Sequence, residues 1–244
     1  VLADLARSVS CMGGDMNAVS PGLMSIPQAV IEPDPKSRRV VTGKQPVVFA
    51  DIYEECTNLI IWQRQLPKEL VAGINDLAVS RRDRNFSVVL KPSDAHSVMH
   101  EEIDNPRFGD FIDDVVELID MFCYLFGLDE AGLRLRVLHH SMCPKFHVDH
   151  VPCRLATTYC GVATEWLAHE SVDRKKLGLS SAEKSDQESG LYQMESDIQQ
   201  LARGEVALMK GEKWPGNKGA GLVHRSPAVA AGESRLLLTL DFCS

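Results

Sequence analysis

The triplet His147-Val148-Asp149 places an imidazole and a carboxylate two residues apart. In an extended chain, side chains at i and i+2 leave the same face, so both groups point at one spot. Farther along, the apolar run Gly221-Leu222-Val223-His224 delivers a second imidazole, followed by Arg225-Ser226-Pro227. Two imidazoles and one carboxylate on a β scaffold, with coordination positions left open, form the facial triad that suits non-haem Fe(II) and its oxygen chemistry. A three-residue motif is common by chance, so its meaning depends on the residues that accompany it.

Chief among these is Arg235, which heads the run Arg235-Leu236-Leu237-Leu238-Thr239-Leu240-Asp241-Phe242, a pattern that reads as a buried strand. The order HxD, distal His, then Arg about ten residues later resembles the Fe(II)/2-oxoglutarate-dependent dioxygenases. In wording, the motifs more closely resemble a bacterial domain-of-unknown-function family, number 1826. The stretches that carry this likeness are Cys143-Pro144-Lys145-Phe146-His147, Val151-Pro152-Cys153-Arg154-Leu155, Thr164-Glu165-Trp166-Leu167 and His224-Arg225-Ser226-Pro227 with the final strand. The likeness runs from about residue 45 onward.

The dioxygenase resemblance implies a double-stranded β-helix, the jelly-roll barrel of cupins. It also implies Fe(II) held by His147, Asp149 and His224, and 2-oxoglutarate as cosubstrate with its far carboxylate on Arg235. A buried guanidinium needs a partner, and a carboxylate supplies one with bidentate geometry. Many relatives place Ser or Thr two residues after this Arg, whereas here the position is Leu237. Thr239, Tyr159 or Thr158 are the candidates to supply the missing hydroxyl. A second reading is a cupin-like protein that binds zinc or iron in metal homeostasis without turnover, and a third is a degenerate barrel serving as a protein-interaction module.

The surrounding pattern is mostly β with flanking helices. Residues 1–44, rich in Ser, Gly and Pro, read as an arm, and 45–244 as one jelly-roll domain. Short strands are expected at 58–62, 86–90, 133–142, 145–149, 154–160, 205–209, 221–224 and 235–242. A helix opens near Pro67 and runs to about Val79. A longer one, from Phe111 to about Phe126 with Asp110 as its cap, repeats Val115, Val116, Ile119, Phe122, Cys123 and Phe126 at helical spacing, the signature of a face packed on a sheet. Residues 168–203 form a polar insertion that reads either as a lid or as a solvated loop. On the strand after HxD, Arg154 and Thr158 share one face and Leu155, Thr157 and Tyr159 the other; a one-residue register shift exchanges them.

Charge and cysteine usage narrow the partners. A formal net charge of −8 disfavours a phosphate-backbone binder, leaving a small molecule or a protein side chain as the expected substrate. The sequence shows no membrane-length apolar run and no export-signal layout, and seven cysteines without CxxC spacing fit reduced thiols in a cytoplasmic protein. Cys143, Cys153 and Cys160, with His139, His140 and His150, are a candidate zinc group, although their spacing matches no structural zinc pattern. Trp166 and Trp214 are read either as a stacking platform for substrate or as buried anchors.

Overall fold

The computed structural model describes residues 37–80, 85–178 and 184–243, all within the compact unit Pro35–Ser244. Ten strands occur in the order Arg39–Gly43 (β1), Thr57–Trp62 (β2), Phe86–Leu90 (β3), Ala131–Leu138 (β4), Cys153–Cys160 (β5), Glu165–Leu167 (β6), Ile198–Gln200 (β7), Val206–Lys210 (β8), Val223–Arg225 (β9) and Arg235–Phe242 (β10). Seven of them form one sheet, ordered β1-β2-β8-β5-β10-β4-β3, and β7-β6-β9 form a second. The chain is thus a mixed α+β fold, rich in strands and flanked by helices. Of the expected arm, residues 39–43 are instead a strand paired parallel to β2, and residues 1–36 lie outside those described.

One face of the large sheet is covered by helices at Lys68–Ser80 (α1), Pro92–Ile103 (α2) and Gly109–Phe126 (α3). The apolar stripe of α3, Phe111, Ile112, Val115, Leu118, Ile119 and Phe122, is buried against Leu133, Leu135, Leu236, Leu238 and Leu240 of the strands. Burial of this kind stabilises at roughly 25 cal/mol per Å² of apolar surface, which accounts for the leucine alternation along β10. Asp110 sits inside the first turn of α3 rather than at its cap, which falls on Phe108 without a side-chain bond.

The opposite face packs Leu59, Ile61, Ala156, Ala207 and Met209 against Ala163, Leu201 and Leu222, next to the small sheet. The expected strand at 145–149 is a single antiparallel bridge, His147 to His224, on the free side of β9. Residues 184–203 are largely exposed but are pinned at a few points. Leu191 and Tyr192 are buried with Phe146, whose N–H donates to Asp186 Oδ2 at 2.8 Å, and β7 pairs with β6. Among the described residues no helix is long and apolar enough to cross a membrane.

Candidate metal centre

His147 and His224 face each other across their bridge, each backbone N–H donating to the other's carbonyl at 3.0 Å. This is the hydrogen-bonded pair of an antiparallel ladder, which holds two opposed residues in register. The ring centroids lie 4.6 Å apart. Nδ1 of His147 meets the Lys145 carbonyl at 3.0 Å, and Nδ1 of His224 meets the Leu222 carbonyl at 3.2 Å. A carbonyl only accepts, so each Nδ1 carries the proton, and each Nε2 lone pair is left facing inward as a metal ligand requires.

Asp149 completes the set, with Oδ1 3.8 Å from His147 Nε2 and Oδ2 3.4 Å from His224 Nε2. One ligand atom from each of the three residues lies within 4.8 Å of the others, and this is the only such trio of His, Cys, Asp or Glu among the described residues. Bonds of about 2.1 Å to an ion bring neighbouring ligand atoms to about 3 Å, a contraction within reach of side-chain rotation. The donor set, two neutral imidazoles and a carboxylate, therefore fits Fe(II).

Burial opposes ionisation of Asp149, but the hydrogen bond and charge of a protonated His224, then Arg154 and His147, outweigh it and hold the carboxyl well below the usual carboxylate range. With both rings neutral and their Nε2 atoms free for an ion, Arg154, at 2.6 Å from Oδ2, is the contact that keeps the carboxylate charged. Burial, followed by repulsion from His224, pushes the His147 pKa down, toward the neutral ring. Arg154 donates to Asp149 Oδ2 at 2.6 Å and grips Asp241 with two bonds of 2.7 and 3.0 Å, while Asp241 also pairs with Arg134. A chain of alternating charge thus runs from the ligand carboxylate along one face of the sheet. Sequence reasoning missed Asp241 and Arg134, although alternation along β10 puts Asp241 on the Arg235 face.

Arg235 is 1% exposed and lines the same cavity of about 130 Å³ as His147, Asp149 and His224. Its guanidinium donates to Ser226 Oγ at 3.0 Å, Thr158 Oγ1 at 3.2 Å and Thr164 Oγ1 at 2.7 Å, and among the described residues Nε has no partner. Burial pushes its pKa down to about 10, with Glu165 opposing from a distance. Among the described residues no carboxylate contacts this cation, so three hydroxyls alone offset its burial and its charge is left uncompensated.

Other expected residues fall elsewhere. Tyr159 is a correction: its hydroxyl donates to Asp114 Oδ2 at 2.5 Å on the helix face, and its ring packs on Phe111 at 4.9 Å. Thr158 takes the opposite face, where its hydroxyl accepts from Arg235, and Thr239 lines the cavity beside Leu237. Trp214 packs against Tyr53 and Phe126, and Trp166 is packed next to the core of the second face. Neither lines the cavity. The proposed zinc group does not assemble: His139, His140 and His150 are exposed, and Cys153 is fully buried. Cys56, Cys123, Cys143, Cys153 and Cys243 are free thiols.

Two glycines set the spacing of the site. A Cβ on Gly211 would meet the carbonyls of Val151 at 2.1 Å and Asp149 at 2.7 Å. The turn after β8 lies directly on the ligand segment, with Glu212 N–H donating to the Asp149 carbonyl at 2.9 Å. Gly161, at φ +79°, would bring a Cβ to 2.4 Å from the Ser234 carbonyl and 3.0 Å from Arg235 Cα. Both lie where only glycine fits.

Among solved structures, the fold is similar to the rice dioxygenase for auxin oxidation, at 12% identity, 85% of this chain, 83% of that chain and a TM-score of 0.50. Arabidopsis thaliana dioxygenase for auxin oxidation 1, solved with 2-oxoglutarate, matches at 8% identity over 84% of this chain and 91% of its own, with a TM-score of 0.46. A Pseudomonas putida prolyl-4-hydroxylase matches at 12% over 81% and 92%, with a TM-score of 0.43. No curated protein sequence matches the chain. Residues 43–241 match the family described as "Protein of unknown function (DUF1826)", and the chain belongs to that family.

Proposed function

We propose that this protein is an Fe(II)/2-oxoglutarate-dependent oxygenase of the hydroxylase type, acting on a small molecule or an amino-acid side chain. The observation that carries the reading is Arg235, a buried guanidinium without a carboxylate in the cavity where two Nε2-presenting imidazoles and Asp149 converge. In this reading the two sheets are a distorted double-stranded β-helix, and the likeness of fold to the rice dioxygenase supports it.

His147, Asp149 and His224 hold the metal. Arg235, steadied by Thr158, Thr164 and Ser226, takes the distal carboxylate of 2-oxoglutarate. Thr158 and Thr164 thereby fill the hydroxyl role that Leu237 cannot, and Thr239 lines the approach for substrate. When bound, ferrous iron supplies the redox chemistry by which O₂ converts 2-oxoglutarate to succinate and CO₂ while oxidising the substrate. The protein orients the reactants and excludes water from the site, with Ala156, Met209 and Leu237 as its apolar walls.

Anaerobic loading with Fe(II), followed by O₂-dependent succinate release from 2-oxoglutarate, tests the reading. The expected result is one iron per chain and substrate-independent slow turnover that the wild type shows and His224→Ala lacks. Tight metal binding with no affinity for 2-oxoglutarate overturns it in favour of a metal-binding protein without turnover.

A further inference from the structure

Beside the metal cavity lies a second recess of about 310 Å³, walled by Arg134, Arg136, Met142, Arg154, Leu237 and Thr239. Four of these residues, Met142, Arg154, Leu237 and Thr239, also line the metal cavity, so the two spaces adjoin. No acidic side chain lines the recess, although the chain as a whole carries a formal net charge of −8. Arg134 and Arg154 are tied to Asp241, and Arg154 also to Asp149. Arg136 is different. It stands opposite Leu237 in the β4–β10 register, and among the described residues its guanidinium meets only the Met142 sulfur, at 3.6 Å. Three guanidinium groups against two carboxylates leave the sheet face positive before any metal is counted.

We propose that this recess binds the anionic group of the substrate, a small molecule bearing a carboxylate or a phosphate, with Arg136 as the group that grips it. The inference rests on the oxygenase reading for the identity of the ligand as substrate. Arginine presents a planar fork matched to either oxyanion, and Leu237 and Met142 offer apolar contact to the adjoining carbon frame. An anion on Arg136 would place that frame across Leu237 and Thr239, toward the triad.

The test uses the described protein as a full chain, loaded with Mn(II) and 2-oxoglutarate without O₂, and titrated calorimetrically with phenylacetate, phenyl phosphate and neutral phenylacetamide. Saturable binding of at least one anion is expected, with the amide about ten- to hundredfold weaker. The preferred anion then identifies the class. Arg136→Gln should lose that preference, Arg136→Lys should retain part of it, and both should bind Mn(II) and 2-oxoglutarate like wild type. Equal binding of amide and anion, no binding of either anion, or unchanged anion affinity in Arg136→Gln overturns the proposal. Failure of wild type to bind Mn(II) or 2-oxoglutarate in the same titrations counts against the oxygenase reading instead, and leaves the anion preference of the recess to be judged by itself.

Discussion

Two arginines on opposite faces of the large sheet are satisfied in different ways, one by a carboxylate and the other by hydroxyls. On the helix face, Arg64 donates both terminal nitrogens to Asp114 at 2.6 and 2.9 Å and its Nε to the Gly204 carbonyl at 3.0 Å, while Tyr159 donates to the same carboxylate. The network is closed: every donor of consequence is met from within the chain. On the other face, Arg235 is more deeply buried but meets only hydroxyls, and among the described residues its Nε meets nothing. Desolvating a cation is costly unless an opposite charge compensates. The fold supplies that charge to Arg64; for Arg235 the oxygenase reading proposed above has a ligand supply it.

The largest effect expected from breaking the second face is on the metal. His224→Ala or His147→Ala removes a ligand, and affinity for Fe(II) should fall by more than the roughly 10- to 100-fold that loss of a supporting contact to a ligand causes. The fold should persist, since His147 is a partly exposed residue at the cavity. Metal content of anaerobically loaded protein, alongside circular dichroism, measures both. Unchanged stoichiometry in both variants would show that the ligands lie elsewhere.

The arginine comparison itself is broken by a pair of substitutions. Asp114→Ala strands Arg64 and should cost about 3 kcal/mol of stability, leaving ligand affinities unaltered. Arg235→Ala should do the reverse, with little loss of stability in the ligand-free protein and retained Fe(II), but 2-oxoglutarate bound about ten- to hundredfold more weakly. Thermal unfolding with and without Mn(II) and 2-oxoglutarate separates the two. If Asp114→Ala weakens 2-oxoglutarate and Arg235→Ala does not, the assignment of the faces is inverted.

A smaller effect is expected from Gly211→Ala. The added Cβ must displace the Val151 and Asp149 carbonyls, and overpacking of this kind costs about 1–3 kcal/mol. Because Asp149 moves with its backbone, metal affinity should drop as well, by about tenfold. A variant destabilised yet binding metal normally would mean that the ligand segment adjusts independently of the turn that abuts it.

Much of the candidate site was legible in the sequence. Spacing and the family resemblance single out His147, Asp149, His224 and Arg235, and the structure brings them around one cavity. The long helix was equally plain, because the apolar residues of α3 recur at helical intervals. The orientation of β5 was not. Alternation divides Thr158 from Tyr159 but does not say which side meets the metal, and the answer comes from α3, where Asp114 claims the tyrosine hydroxyl. The α2 helix escaped notice because its buried residues, Ala95, Met99 and Ile103, are few among charged neighbours. The three-residue strands β6 and β7 were missed because their pairing joins segments far apart in the chain, which no local pattern records. The bonds of Thr164 and Ser226 to Arg235 were hidden for the same reason: each forms only through tertiary packing.

A third buried cation sharpens the contrast between the faces. Lys210 is 1% exposed on the helix side of β8, its Nζ bonded to the Glu54 carbonyl at 2.8 Å and lying 4.8 Å from the Trp214 ring centroid. Among the described residues no carboxylate is in contact with it, and it lies away from both recesses, so its burial is left largely uncompensated. Burial accordingly pushes its pKa down to about 8, against a weaker pull from Cys153. The unfolded chain, with lysine near 10.5, binds the proton more tightly than the native state between pH 8 and 10.5. Stability attributable to Lys210 should therefore rise with pH through that window, having been at its lowest below pH 8. Lys210→Met lacks the titrating group, so the stability of wild type relative to Lys210→Met should climb from pH 8 to 10.5 and be flat from pH 6 to 7.5. Denaturant midpoints of the two proteins across that range measure it. A constant difference would mean that the carbonyl and the indole ring satisfy the ammonium as fully as Asp114 satisfies Arg64, and a carboxylate would then not be what distinguishes a structural buried cation from one kept for a ligand.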